Sequence, residues 1–130
     1  MADRPFLAPN ATTASMASTI TVQPTVLKNL TMASYSYSWS NGSTPVGTVT
    51  LQLSNDYSLN PNGSVNNQGT WTDAYWFDPS VGSYVSSAAV SGDTGNGVIE
   101  METGAYAVRT VYTPASGDGT MTITFVGKVF

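Results

Sequence analysis

The chain has 130 residues and a formal net charge of −4, a length that suits one domain with its own hydrophobic core. Hydrophobic residues make up 41% but charged residues only 9%, so hydroxyl and amide side chains must provide solubility. Cys and His are absent, which excludes disulfides, thiolate or imidazole metal sites and Ser-His-Asp triads. Four basic residues against eight acidic ones argue against nucleic acid as a partner. We expect a protein without metal or cofactor.

The first 18 residues contain two prolines and show neither the period of a helix nor that of a strand. This pattern predicts an extended N-terminal arm over residues 1–18, followed by a single domain over residues 19–130. Phe6 and Leu7 are the apolar residues of the arm, and we expect them to contact a partner. No apolar stretch is as long as a signal-peptide core or a membrane span, so we expect synthesis in the cytoplasm and no membrane contact.

Alternation of apolar and polar residues begins at residue 35 and predicts half-buried strands at three places. The segments are residues 35–40, 47–54 and 120–125. On this alternation the side chains predicted to face the core are Tyr35, Tyr37, Trp39, Val49, Leu51, Leu53, Met121, Ile123 and Phe125.

Weaker strand signals fill the space between these segments. Residues 69–77, 84–90, 98–102 and 105–113 are rich in β-branched and aromatic residues. Turn sequences with Asn, Asp and Gly separate them, at residues 41–42, 62–63, 93–97 and 116–119. Because the strands are short, evenly spaced and without helical segments, the sequence predicts an all-β antiparallel sandwich or jelly roll.

Two acidic residues give the only hint of catalysis. Glu100 and Glu102 lie two apart on a predicted strand, about 6.6 Å between Cα atoms, and paired carboxylates at such separations hydrolyse glycosides. However, Ile99 and Met101 then face the core, which leaves both carboxylates on a solvated face. We therefore favour a protein that is not an enzyme.

The turn at residues 93–97 resembles a fragment of a calcium loop, because Asp93 and Asn96 offer oxygen ligands beside Gly97. A third acidic ligand and the closing Glu are missing from the motif. We favour a turn in which these residues serve the backbone conformation.

The aromatic residues near the middle of the chain point to a contact surface. Residues 71–77 carry aromatics on both faces of a strand, so at least one ring should be exposed, to either a glycan or a protein neighbour, and we favour the protein. We name Tyr57 and Trp76 as partner-contacting residues. Trp71 and Arg109 are expected to be structural, with Arg109 bridging a carboxylate or loop carbonyls, because a buried charge without a partner is costly. The 15-residue loop at 55–69 is also long enough to contact something.

Three segments together carry a family resemblance. Residues 47–56 (GTVTLQLSND), 69–73 (GTWTD) and 106–122 (YAVRTVYTPASGDGTMT) resemble a pattern in small β-sandwich structural proteins of bacteriophage virions. The resemblance spans residues 20–130 and leaves the arm unmatched.

The resemblance implies a place in virion architecture. We expect a capsid decoration or cement protein that binds the major capsid lattice through its arm, forms a homo-oligomer and resides in the virion after synthesis in the host cytoplasm. A spike or tail component is the alternative within this class, and a non-catalytic glycan-binding module is the alternative outside it.

Overall fold

The computed structural model describes residues 10–27 and 30–128, and its regular elements are β-strands throughout. The strand pairings among these residues are antiparallel, which confirms the predicted all-β antiparallel class. In this part of the chain, no helix long and apolar enough to cross a membrane is present. The strands are β1 (Asn10–Ser15), β2 (Ile20–Thr21), β3 (Thr25–Val26), β4 (Met32–Ser54), β5 (Ser58–Leu59), β6 (Val65–Asn67), β7 (Thr72–Asp73), β8 (Trp76–Asp78), β9 (Ser83–Val85), β10 (Ala88–Ser91), β11 (Gly95–Glu102) and β12 (Ala107–Lys128).

Two long strands organise the main sheet. β4 and β12 pair with each other from Ser54 opposite Ala107 to Met32 opposite Lys128. The other strands of this sheet each pair with one of the two: β1, β2 and β3 with β12, and β7, β10 and β11 with β4. The β4–β12 pair is therefore the scaffold to which the shorter strands are added.

Both long strands bend at their middle. On β12 the pairing register shifts repeatedly between residues 114 and 120, as expected where extra residues are inserted as bulges. On β4, Asn41 and Thr44 have positive φ values of 53° and 51°. Gly117 on β12 has a φ of 77°, a conformation that glycine adopts without steric cost. The turn sequences at 41–42 and 116–119 thus bend continuous strands instead of separating them.

The loop before β11 holds the bend of β4 in place. The Asp93 side chain accepts a hydrogen bond from the Thr44 backbone amide at 3.0 Å, and its carbonyl accepts one from the Gly42 amide at 3.2 Å. The indole N–H of Trp39 donates to the Gly92 carbonyl at 3.0 Å. In the structure, Asp93 therefore serves the backbone of the bend, in line with the structural interpretation of this turn.

The bend divides the sheet into two halves that share one core. The first half contains β1, β11 and residues 32–40 and 120–128 of the long strands; the second contains β2, β3, β7, β10 and residues 46–54 and 107–116. The Tyr35 hydroxyl of the first half lies beside the hydroxyls of Thr25 and Thr110 in the second, so the halves face each other. Because they belong to one hydrogen-bonded sheet, a sandwich or jelly-roll topology in the strict sense stays a prediction.

The predicted alternation places nearly all of its residues in the core. The one exception is Leu53, which is half-buried and packs against the core from its border. The predicted core residues that the structure buries are Tyr35, Tyr37, Trp39, Val49, Leu51, Met121, Ile123 and Phe125.

The predicted arm is too long, because its second half belongs to the sheet. β1 pairs with β12, with Asn10 opposite Phe125 and Ser15 opposite Thr120. Met16, which follows β1, is completely buried and belongs to the core. Because β1 carries short Ala and Thr side chains, its two faces differ little in polarity. The sequence therefore shows no clear alternation here. Phe6 and Leu7 lie outside the described residues.

Candidate docking surface

A tight hairpin projects beside the edge of the first half-sheet. β8 pairs with β9, and the turn between them begins at Asp78, whose carboxylate accepts hydrogen bonds from the Ser80 amide at 2.9 Å and hydroxyl at 2.7 Å. These bonds hold the pKa of Asp78 below its ordinary value. The Asp78 carbonyl accepts a bond from the Gly82 amide at 2.8 Å, and Gly82 has a φ of 78°. The turn therefore fixes the hairpin locally.

The two faces of this hairpin have different roles. Trp76 is paired with Val85 and packs into the core, where it is 3% exposed. Because successive side chains alternate, Phe77 and its partner Tyr84 point away from the core. Their ring centroids are 5.7 Å apart at an interplanar angle of 77°, the edge-to-face arrangement that aromatic pairs prefer.

The outward-facing rings form a contiguous exposed surface with the neighbouring strand. We call Tyr75, Phe77, Tyr84 and Val98 the aromatic patch; their side chains are 67%, 50%, 72% and 57% exposed. Two grooves of about 380 and 320 Å³ connect these residues with β11. Exposed apolar clusters on a protein surface mark contact sites more often than single exposed residues do.

Carboxylates border the aromatic patch. Glu100 and Glu102 lie on β11 and line the larger groove together with Tyr75, Phe77 and Tyr84. Both carboxylates are exposed, as the sequence predicted. On the opposite face of β11, Ile99 is buried, and Met101 is half-buried against the core. None of the described side chains lining these two grooves is basic. The surface is therefore aromatic with a negative border.

Two of the residues predicted to contact a partner are buried instead. Trp76 packs into the core, and Tyr57 is 2% exposed. Tyr57 lies under the Trp71 ring, with centroids 5.7 Å apart, and supports the base of the loop at 55–69. The prediction that the Trp76 strand carries an exposed ring is correct, but the exposed rings are its neighbours, Tyr75 and Phe77. The sequence does not single out Tyr84, because its contact with Phe77 depends on the hairpin turn.

Trp71 and Arg109, the two residues predicted to be structural, contact each other. The Arg109 guanidinium lies over the Trp71 ring, 4.4 Å from its centroid, and its Nε donates to Gln52 Oε1 at 2.8 Å. Gln52 in turn donates to Asp73 Oδ1 at 2.9 Å. The guanidinium thus reaches a carboxylate through an amide, not directly as expected. Partial burial lowers the pKa of Arg109.

The loop at 55–69 is ordered by its own side chains. Asp56 accepts hydrogen bonds from the Thr70 amide at 2.6 Å and from the Ser54 hydroxyl at 2.8 Å, which lower the pKa of its carboxyl. β5 and β6 pair within the loop. The loop therefore closes on itself as a hairpin, and the aromatic patch remains the strongest candidate for a contact site.

Comparison with known proteins finds a distant structural likeness but no family. No family model matches the chain, and no curated protein matches it. Among solved structures, the chain is similar to one described as the crystal structure of the SPBc2 prophage-derived protein YomS. The two are 13% identical over 94% of this chain and 96% of the other, with a TM-score of 0.49.

Proposed function

We propose that this protein is a non-catalytic structural subunit of a bacteriophage virion, with its aromatic patch as a contact surface between protein subunits. Within the virion, we propose a decoration or cement protein on the major capsid lattice. The observation that carries the proposal is the patch itself: exposed rings on a hairpin whose turn is fixed by hydrogen bonds. The sequence resemblance to small phage structural proteins supports the proposed place in a virion.

The chemistry of the surface also favours binding over catalysis. Glu100 and Glu102 are both exposed on the same face of β11 and line the same groove, so their surroundings do not differ in the way that assigns separate roles to a catalytic pair of carboxylates. Interfaces between proteins are enriched in aromatic residues and depleted of charge at their centre. The exposed rings of the patch, with charges only at the border, have this composition.

Particle association tests the proposal. In a density gradient of purified particles, we expect the full-length chain to sediment with the particles at a fixed copy number. The double substitution Tyr75→Ser and Tyr84→Ser should reduce that copy number, because it removes apolar contact area but no core side chain. The matched control is Leu59→Ser, at another exposed apolar residue. A chain that remains at the top of the gradient would refute the virion role, and immunogold labelling of the particles separates a capsid position from a spike or tail position.

Glycan binding is the second candidate, because exposed tyrosines beside carboxylates can bind sugars. The geometry is less favourable to it: the edge of one ring of the Phe77–Tyr84 pair is directed at the other, which leaves no flat two-ring platform. A glycan array with the wild-type chain and the Tyr75→Ser variant decides between the two. Specific binding that the substitution abolishes would favour the glycan.

A further inference from the structure

The aromatic patch has a chemically matched occupant in the chain itself. We propose that residues 1–9 of one copy bind the aromatic patch of a second copy, with Phe6 and Leu7 on the rings and Arg4 facing Glu100 and Glu102. This inference rests on the proposed function, since it names the partner of the contact surface proposed there.

The patch selects an occupant that is both apolar and basic. Its exposed rings and Val98 require apolar cover, and the bordering Glu100 and Glu102 require a positive charge. A symmetric contact between two patches would bring the carboxylates of both copies together, and juxtaposed like charges oppose association. The occupant must therefore be a different segment.

Residues 1–9 have the required composition in a short stretch. Phe6 and Leu7 are adjacent, and Arg4, which follows Asp3, precedes Phe6 by two residues. The side-chain charges of Asp3 and Arg4 cancel in sum, so the match to Glu100 and Glu102 rests on the guanidinium itself, which is the charge nearer to Phe6. Arg4 is one of only four basic residues in the whole chain. The prolines at 5 and 9 favour extended backbone at the residues that precede them, the conformation in which a peptide lies along a groove.

A groove for an extended segment runs along β11. In the described part of the chain, β11 pairs with β4 only. A groove of about 510 Å³ lies between β11 and the β8–β9 hairpin, with Asn96 and Val98 on one side and Asp78 and Val81 on the other. An extended peptide beside a strand edge can add main-chain hydrogen bonds to its side-chain contacts. Val98 lines both this groove and the smaller groove beside Phe77, so one extended segment can lie along β11 and reach the patch.

The position of the segment favours a contact between copies. The described chain begins at Asn10 on β1, and the strand order β1–β12–β4–β11 places β1 and β11 at opposite edges of the first half-sheet. The segment therefore starts on the side away from its own patch. Phe6 and Leu7 precede Asn10 by four and three residues, so extended backbone carries them at most about 14 Å from β1. Three strand spacings of about 4.8 Å separate β1 from β11 in the same copy, whereas a second copy packed against the β1 edge has its patch within reach. Repetition of this contact is head-to-tail and gives a ring or a chain of subunits.

Mixing two defective variants tests the proposal. The segment variant carries Phe6→Asp and Leu7→Asp; the patch variant carries Tyr75→Ser and Tyr84→Ser. By sedimentation velocity we expect the wild type to self-associate, each variant alone to be monomeric, and the equimolar mixture to form dimers. Neither variant alone has both an intact segment and an intact patch, whereas the mixture supplies one of each. Circular dichroism and thermal unfolding establish that both variants are folded, and Leu59→Ser should associate like the wild type.

Charge reversal tests the predicted pairing of Arg4. Arg4→Glu should weaken self-association about tenfold, and the double substitution Glu100→Arg and Glu102→Arg in the same chain should restore it. A peptide with the sequence of residues 1–9 should dissociate the wild-type assembly, which gives a readout that needs no variant to fold.

Three outcomes would overturn the inference. These are a monomeric wild type, a patch variant that still self-associates, and a mixture that remains monomeric although the wild type associates. The last would mean that each segment binds its own copy or another surface. If the wild type is monomeric yet sediments with particles, the proposed function stands and only this inference fails. If the wild type self-associates but does not sediment with particles, this inference stands and the proposed function fails.

Discussion

Arg109 shows how a charge is accommodated on a protein with few charges. Its guanidinium stacks on Trp71 and donates to Gln52, so the residue contributes through ring contact and hydrogen bond together. Each contact of this kind contributes about 1 kcal/mol. We expect Arg109→Met to lower the free energy of unfolding by about 1 to 3 kcal/mol in urea titrations.

The matched control for this prediction is Arg109→Lys, which retains the charge but loses the planar group that stacks. It should recover only part of the loss. A double-mutant cycle with Trp71→Leu should give a coupling of about 1 kcal/mol. Additive effects of the two substitutions would show that the stacking contributes nothing.

Tyr35 connects the two halves of the sheet but buries a hydroxyl group there. Its buried hydroxyl has no partner at hydrogen-bonding geometry among the described residues, although the hydroxyls of Thr25 and Thr110 lie beside it. Burial raises the pKa of Tyr35 above its ordinary value of 10.0, and these neighbours reduce the shift only in part. The folded state therefore favours the neutral phenol.

The raised pKa of Tyr35 predicts alkaline instability. In the unfolded chain Tyr35 ionises near its ordinary pKa, so its contribution is fully present below pH 10 and is lost as the pH rises from there towards the folded pKa. Tyr35→Phe should be at least as stable as the wild type at pH 7, because it removes an unpaired buried hydroxyl. Above pH 10, the free energy of unfolding of Tyr35→Phe relative to the wild type should increase by about 1.4 kcal/mol per pH unit.

Urea unfolding of both proteins between pH 7 and 11 measures this difference. A constant difference between wild type and Tyr35→Phe across this range would contradict the assignment.

At the scale of elements, the bend in β4 and β12 depends on glycine at one position above all. A Cβ atom at Gly117 would lie 2.7 Å from Pro45 Cα, besides having to adopt a positive φ of 77°. We expect Gly117→Ala to lower the free energy of unfolding by roughly 2 to 4 kcal/mol.

Gly82 offers a matched control for this bend. Its φ is 78°, but nothing lies within 4 Å of its Cβ position. Gly82→Ala therefore introduces the backbone strain but no steric clash, and it should lower the free energy of unfolding by about 1 kcal/mol. Equal losses at the two positions, measured by chemical denaturation, would mean that strain alone explains the effect and that the bend tolerates a side chain.

The sequence pattern does not predict β1, and substitution of Met16, which follows it, tests whether this strand contributes to stability. Met16 is completely buried, so Met16→Ala should cost about 2 to 5 kcal/mol. Met32→Ala, at a half-buried methionine, should cost less. Deleting residues 2–9 should leave unfolding cooperative, because β1 and Met16 remain. If Met16→Ala left the thermal midpoint unchanged, residues 10–16 would not be part of the stable sheet.

The strands were predictable where side chains contrast strongly, and the topology was not. Alternating aromatics and serines reveal the strand around Tyr37, whereas the Ala and Thr side chains of β1 barely differ in polarity. Asn and Gly at positive φ suit a hairpin turn and a bulge equally. For this reason residues 41–42 and 116–119 could not show that their strands continue. The aromatic patch was only half predictable, because the side on which Tyr75 lies depends on which ring enters the core.

At the scale of the whole molecule, the scaffold pair joins distant parts of the chain. Ser40 pairs with Thr120 and Met32 with Lys128, and the other strands of the main sheet are added to this pair. Because non-local pairing requires a large loop to close first, we expect folding in milliseconds to seconds. We also expect the β4–β12 pair to form in the transition state, since the shorter strands have no other template.

Two conservative substitutions test this order of events. Ile123 on β12 and Ile99 on β11 are both buried and flank β4 on opposite sides, opposite Tyr37 and Tyr35. Replacing either with Val should cost about 1 kcal/mol. In stopped-flow measurements of tryptophan fluorescence, Ile123→Val should mainly slow folding, whereas Ile99→Val should mainly speed unfolding. The reverse partition would mean that β11 joins β4 before β12 does, and that the local loop next to the bend, not the long pair, starts the fold.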